Sequence, residues 1–153
     1  MELVAEVNGA RVYDDYGHHP TEVRATLSAA RETCSGRLLC AFQPHRFSRL
    51  KALMDGFAAA FGSADEVLLL PVYAAGEEPI PEADSATLAA RIRALDGGPS
   101  VTVLASLEAL PAELRRRLAP GDVAVCMGAG DINKATRALA EEVGSEHVAG
   151  TVG

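Results

Sequence analysis

Arg37-Leu38-Leu39-Cys40-Ala41-Phe42 runs directly into Gln43-Pro44-His45-Arg46-Phe47-Ser48-Arg49. The first part is short and apolar and reads as a buried strand. The second is polar and carries a proline, so it reads as a loop. Beyond it, Leu50, Leu53, Met54, Phe57, Ala58 and Phe61 recur at helical spacing, the clearest helix in the chain. A buried strand, a polar loop and an amphipathic helix form the repeating unit of an α/β fold.

The same grammar extends outward. Val67 to Leu70, Val101 to Leu104 and Val123 to Met127 are further apolar runs. Pro20 opens a helix with Val23, Leu27 and Ala30 on its buried stripe, since proline suits a first turn. Asp84 or Ser85 caps a helix carrying Leu88, Ile92 and Leu95. Pro111 to Leu118 is a short basic helix, and Ala135, Leu139 and Val143 mark a last one. Upstream, Leu3 to Val7 and Arg11 to Tyr13 alternate around Asn8-Gly9, a strong hairpin signal. The pattern predicts an α/β, Rossmann-like, mostly parallel sheet of about six strands, with helices on both faces and an N-terminal β-hairpin. Residues 1–153 form a single domain, with 144–153 expected as a frayed tail.

At 153 residues, with 48 % hydrophobic and 23 % charged residues, the chain suits one core. Its net charge of −7 argues against nucleic acid and anionic membrane as partners. No membrane span or signal peptide is legible, so a cytoplasmic protein is expected. Cys34, Cys40 and Cys126 lack metal or redox spacing; Cys40 and Cys126 lie in apolar runs and are expected buried and reduced.

In an open α/β sheet, ligands gather at the C-terminal strand ends. Those ends carry Asp14-Asp15-Tyr16-Gly17-His18-His19-Pro20-Thr21, then Gln43 to Arg49, then Pro71-Val72-Tyr73-Ala74-Ala75-Gly76, then Gly128-Ala129-Gly130-Asp131. Three of the four histidines fall there. Arg46 and Arg49 are three apart and share a face if the helix has begun, making a carboxylate or phosphate clamp. A solvated basic helix start is the bland alternative; cations at a helix N-terminus oppose its dipole, which weakens it. Asp15, His18 and His19 resemble metal ligands only loosely, and hydrogen-bonding histidines that shape a pocket fit better. The loop 71–84, with three prolines and a glycine, is long enough to be functional.

Gly128-Ala129-Gly130 resembles an anion-binding turn, but Asn133 stands where both the dinucleotide fingerprint and the P-loop need glycine. Ala135 replaces the P-loop serine or threonine, and Asp131 repels phosphate. The turn therefore reads as close backbone packing beside a ligand, with Lys134 a plain surface residue. No P-loop, GxSxG or HExxH is present, so the chain holds no self-contained catalytic set.

These four motifs, in this order, resemble the C-terminal domain of the UDP-N-acetylmuramate–L-alanine ligases of the Mur ligase family, over roughly residues 2 to 143. The resemblance implies the amino-acid-binding third domain of an ATP-dependent ligase of peptidoglycan biosynthesis. UDP-sugar, P-loop and Mg²⁺ sites belong to two other domains, and the chain begins just past an arginine that the family carries. Partners implied for the full enzyme are L-alanine, UDP-N-acetylmuramate and ATP. ATP and Mg²⁺ are held mainly by the central domain, and none by this chain alone. Residue by residue, Arg46 and Arg49 match the pair holding the alanine carboxylate and developing charge. Tyr16 and His18 match pocket residues, with His45 and Tyr73 beside them. Asp15 matches the aspartate reaching the ATP ribose. Arg46, Arg49 and His18 are the catalytic candidates, and a histidine acting on the amine proton is the lesser option.

Two other readings stay open. One is the related ligase that adds a recycled peptide to the same sugar nucleotide. The other is a stand-alone, non-catalytic Rossmann-type binding module.

Overall fold

The computed structural model describes residues 1–152, with side chains described through Ser145. Strands β1 (Glu2–Val7) and β2 (Ala10–Asp15) form the expected antiparallel hairpin, turning at Asn8 (φ 55°) and Gly9 (φ 81°). The chain then passes through α1 (Pro20–Glu32), β3 (Leu38–Phe42), α2 (Phe47–Ala52), α3 (Met54–Ala58), β4 (Glu66–Leu69) and α4 (Ser85–Arg93). It continues through β5 (Ser100–Val103), α5 (Leu110–Arg117), β6 (Val123–Met127) and α6 (Ile132–Val152). The six-stranded sheet has the order β1-β2-β6-β3-β4-β5, and every pair except β1–β2 is parallel.

Strand alternation divides the core in two. Leu38, Cys40, Phe42, Val67, Leu69, Val123, Val125 and Met127 face one side, against α1, α2, α3 and α4. Leu39, Ala41, Leu68, Ala124 and Cys126 face the other, against α5 and α6. Both faces being covered explains why the strands read as unbroken apolar runs rather than alternating ones. Phe42 lies at 5.4 Å from Phe57 and 5.5 Å from Phe61, ring to ring. Burying each such ring contributes ~1.5–3 kcal/mol. Cys40 and Cys126 are buried and reduced, and burial pushes both thiols up, so neither is a nucleophile at neutral pH.

Two expectations about the helices are corrected. The helix read from Leu50 to Phe61 breaks at Leu53 (φ −116°, ψ 20°), restarts as α3 and ends in a 3₁₀ turn, Ala59–Phe61. At Gly56 an added Cβ would lie 3.4 Å from the Pro20 ring, so α3 passes close over the start of α1. The apolar spacing survives the change of axis because Leu50, Met54, Phe57 and Phe61 stay buried. Leu95 lies beyond α4 and is exposed. Helix α6 runs on through Gly144 and Ser145, where fraying is expected to begin; the side chains of the remaining tail lie outside the described residues.

At the N-terminal strand ends, Asp122 accepts from the Arg37 amide (2.8 Å), the Ala119 amide (3.0 Å) and the Arg37 guanidinium (3.0 Å). Arg117 extends this network by pairing with both Glu66 and Glu113. These ions knit the bottom of the sheet, leaving the C-terminal edge for ligand chemistry. Among the described residues no helix is long and apolar enough to cross a membrane.

Candidate functional site

The β2–α1 turn is held by its own side chains. His19 is the N-cap of α1 (φ −105°, ψ 147°), accepting from the Thr21 amide, while Glu22 reaches back to the His19 amide at 3.1 Å. The two adjacent histidines therefore part: His19 is spent on the cap, and His18 is free to face inward. The Asp15 carboxylate accepts from the Gly17 amide (3.0 Å) and the Thr26 hydroxyl (3.4 Å), fixing the bend. A Cβ on Gly17 would lie 2.8 Å from that carboxylate and 2.9 Å from Met127 Cε, so a larger residue there would push on both side-chain ends. Tyr16 is left exposed at the rim, its ring 5.8 Å from His18 and edge-on.

The β3–α2 loop meets it. His45 lies 6.1 Å from His18 and stacks on Tyr73 at 5.4 Å, with ring planes 13° apart. Residues His45 and Tyr73 also form a parallel backbone bridge: the Tyr73 amide donates to Pro44 O and the Arg46 amide to Tyr73 O, each at 2.8 Å. Arg49 Nη1 donates to His45 Nδ1 at 3.2 Å. A guanidinium only donates, so this bond assigns the His45 proton to Nε2. Burial holds His45 below its ordinary pKa, and Arg49, His18 and Arg46 push it the same way. His45 is thus a neutral ring that can donate from Nε2, with its accepting nitrogen already engaged.

Arg46 departs from the expected geometry. It stands before α2 as its N-cap, with φ 72°, so the two arginines do not share a helical face. Arg46 is exposed just ahead of the helix, while Arg49, in its first turn, is half-buried against His45. Among the described residues neither is ion-paired with a carboxylate within 4.0 Å. Two unpaired guanidinium groups beside a neutral imidazole form a site for a small carboxylate.

The glycine turn after β6 closes the floor. A Cβ at Gly130 would lie 2.6 Å from Tyr73 Cγ and 2.7 Å from Gln43 Oε1. Gln43 is buried; its amide oxygen accepts from the Ile132 amide (3.0 Å) and its amide nitrogen donates to Asp131 (2.6 Å). The expected close backbone packing is present, and the first amide of α6 is satisfied from inside the protein. A phosphate at this turn would have to displace Gln43 and face Asp131.

On the other side of Tyr16, an open cavity of about 490 Å³ is lined by Asp14, Asp15, Tyr16, Gly128, Asn133 and Arg137. Asp15 contacts this cavity rather than the ring cluster, so the nucleotide-side candidate and the amino-acid-side candidates flank Tyr16. Asp14 accepts from Thr136 at 2.9 Å while its other oxygen is buried without a partner; burial pushes its carboxyl pKa up. Tyr16, His18, His45, Arg49 and Tyr73 thus form one contiguous cluster with Arg46 at its edge. Gln43, Glu77 and Thr136 were not singled out in sequence. Only Gln43 carried a signal: an amide ending a wholly apolar strand.

The family described as "Mur ligase, glutamate ligase domain" matches residues 1–130. The chain belongs to the Mur ligase family. It is 53 % identical over 130 residues to the UDP-N-acetylmuramate–L-alanine ligase of Anaeromyxobacter dehalogenans, covering 85 % of this chain and 28 % of that protein. Against the enzyme of the same name from Rhizobium johnstonii it is 48 % identical over 141 residues, covering 92 % of this chain and 30 % of the relative. The chain therefore spans under a third of the length of these relatives and corresponds to their C-terminal domain. A crystal structure of a murein peptide ligase from Psychrobacter arcticus superposes with a TM-score of 0.72 at 27 % identity, covering 94 % of this chain and 29 % of that one. This Mur ligase domain has the expected architecture, a mostly parallel sheet with an antiparallel N-terminal hairpin.

Proposed function

We propose that this chain is the amino-acid-binding domain of an ATP-dependent ligase that joins L-alanine to the lactyl carboxylate of UDP-N-acetylmuramate in the cytoplasm. The observation that carries it is the unpaired Arg46–Arg49 pair set against the Tyr16–His18–His45–Tyr73 ring cluster. Identity near half with ligases of that name supports the same substrate.

In this reading ATP converts the lactyl carboxylate to an acyl phosphate. The alanine amine attacks the acyl carbon, phosphate leaves, and the amine gives up a proton. Arg49, backed by Arg46, holds the alanine carboxylate and so fixes where the amine points. The same guanidinium charge steadies the oxyanion that develops at the acyl carbon. His45 contributes an Nε2–H donor. With Nδ1 committed to Arg49 it does not accept the amine proton, so of the two histidines His18 is the one suited to that transfer. Its Nδ1 lies 3.2 Å from Tyr16 O, and that contact orients the ring.

The residues of this chain do not fit the nucleotide phosphates, since Gln43 occupies the α6 amide and Asp131 adds negative charge. Asp15, an acceptor beside the 490 Å³ cavity, fits a ribose hydroxyl. ATP phosphates and Mg²⁺ then belong to the rest of the enzyme.

A chimera tests the assignment: residues 1–153 replace the third domain of the Anaeromyxobacter relative, and phosphate release is followed with each amino donor. Release that depends on L-alanine supports the reading. Release with a tripeptide but not with alanine assigns the domain to the peptide-recycling ligase instead. A folded chimera that turns over neither donor leaves the binding-module reading standing.

A further inference from the structure

The arginine-bearing β3–α2 turn has a weakness of its own. Helix α2 is six residues long, opens on Arg46 without any side-chain cap bond, and has no acid in its first turn. An arginine at that position opposes the helix dipole, and φ 72° is unfavourable for it. Something outside the helix must hold this start in place.

Glu77 does so from the 71–84 loop. Its carboxylate accepts from the Ser48 amide at 3.0 Å and from the Ser48 hydroxyl, reaching across 29 residues of sequence. The reach depends on a tight turn, in which Ala75 (φ 52°) and Gly76 (φ 86°) reverse the chain and the Glu77 amide donates to Ala74 O at 3.0 Å. The same strap supplies Tyr73, which stacks on His45 and accepts the Arg46 amide. Arg46 is therefore fixed on one side by Tyr73 O and on the other by a capped helix.

We propose that Glu77 is a positioning residue for the amino-acid carboxylate clamp: it caps α2 in trans and so sets where Arg46 and Arg49 point. This rests on the ligase reading above. The Ser48 bonds, joined by the positive charge of Arg46, hold the Glu77 carboxyl below its ordinary range, so the cap is charged at neutral pH. In turn the Glu77 charge acts on His45 against the Arg49 and Arg46 guanidinium groups.

The test compares Glu77→Ala, Glu77→Gln and Arg49→Ala in the complete ligase, together with amide exchange at Ser48 in the 153-residue chain. Glu77→Ala is expected to raise the KM for L-alanine roughly tenfold, leaving the KM values for ATP and the UDP-sugar within about twofold, because only the clamp is moved. Glu77→Gln keeps an oxygen for Ser48 and is expected to recover most of that loss, which a purely structural role would not separate by substrate. Exchange at the Ser48 amide is expected to accelerate in Glu77→Ala. Unchanged exchange there overturns the cap whatever the substrate is. Accelerated exchange with an unchanged alanine KM, while Arg49→Ala raises it, overturns the positioning role and leaves the ligase reading intact. An alanine KM unmoved in both variants overturns both.

Discussion

Adding one methyl group at Gly130 reports on the whole arrangement. In Gly130→Ala the new Cβ would stand 2.6 Å from Tyr73 Cγ, 2.8 Å from Tyr73 Cβ and 2.7 Å from Gln43 Oε1. Tyr73 Cβ and Cγ sit next to the backbone, and that backbone is bridged on both sides to Pro44 and Arg46. Gln43 is fixed by Ile132 and Asp131. No flexible side-chain end is available to yield, so the strap or the turn must move by about 0.8 Å to reach an ordinary contact of 3.4 Å. Overpacking of this kind costs ~1–3 kcal/mol, and losing the Gln43–Ile132 hydrogen bond adds ~0.5–1.5 kcal/mol.

A total of about 2–4 kcal/mol would be a large share of a domain's stability of ~5–15 kcal/mol. In urea this corresponds to a midpoint lowered by ~1–2 M at a slope of about 2 kcal/mol per M. Gly62→Ala is the control: nothing lies within 4 Å of its Cβ position, and its φ of −59° suits alanine. That variant is expected to be neutral or more stable by ~0.4–1 kcal/mol. In the complete enzyme Gly130→Ala should also raise the alanine KM, because it displaces the ring that stacks on His45. A Gly130→Ala midpoint equal to wild type, measured beside Gly62→Ala, refutes the close packing of the glycine turn against Tyr73 and Gln43.

Arg49→Ala should cost ~2–4 kcal/mol in kcat/KM for alanine and exceed Arg46→Ala, because Arg49 is half-buried and bonded to His45; equal effects in steady-state kinetics would count against the asymmetric clamp. His45 resists protonation in the folded state, whereas the unfolded ring takes a proton near its ordinary value of about 6.5. Its contribution to stability is therefore present above that pH and lost as pH falls. The alanine KM should rise with it, and the rise should move to higher pH in Arg49→Ala, as a KM–pH profile would show. Asp122→Ala should destabilise the chain by about 2–3 kcal/mol in chemical denaturation, since it strands two backbone amides and a guanidinium. Burial opposes ionisation of Asp122, but hydrogen bonds from the Arg37 and Ala119 amides outweigh it and hold its pKa down. The stability it provides is present above the ordinary carboxylate range and lost as acid takes the pH through the lowered value, so Asp122→Ala should show the smaller acid-induced loss.

The strands were legible because burial on both faces leaves runs such as Leu38–Phe42 and Val123–Met127 no polar alternation. The hairpin was legible because Asn8 and Gly9 are the residues that tolerate positive φ. Helix continuity between Phe47 and Phe61 was not legible, since the apolar period reports which side is buried and says nothing of a bend at Leu53. In the site, residue types chosen from the strand ends proved to be neighbours. The relation of Arg46 to Arg49 was misread because helical spacing assumes helical backbone, and a non-glycine residue at φ 72° announces itself nowhere in the sequence. Glu77 and Gln43 escaped for a different reason. Each acts on a group far along the chain, Ser48 and Ile132; an amide closing an apolar strand marks Gln43 as unusual, but the partner of either residue emerges only when the fold brings the two together.

Gln43 also explains where anion binding sits on this sheet. In a dinucleotide fold the glycine turn before a helix leaves its first amides free for phosphate. Here the side chain of Gln43, just past the end of β3, fills that position, and Asp131 is pinned beside it by the same amide group. The positive charge has moved one loop away, to Arg46 and Arg49, where no helix of useful length contributes and the guanidinium groups must do the binding. Such a site favours a small carboxylate that can take two parallel hydrogen bonds over a diphosphate that needs a row of backbone amides. Gln43→Ala separates the two cases: it frees the Ile132 amide while leaving both arginines in place. Weak inorganic phosphate binding gained at the α6 turn, detected as shifts of the Ile132 and Asn133 amide resonances, is the expected result. Phosphate shifts of equal size in the unaltered chain would mean that Gln43 does not block the turn.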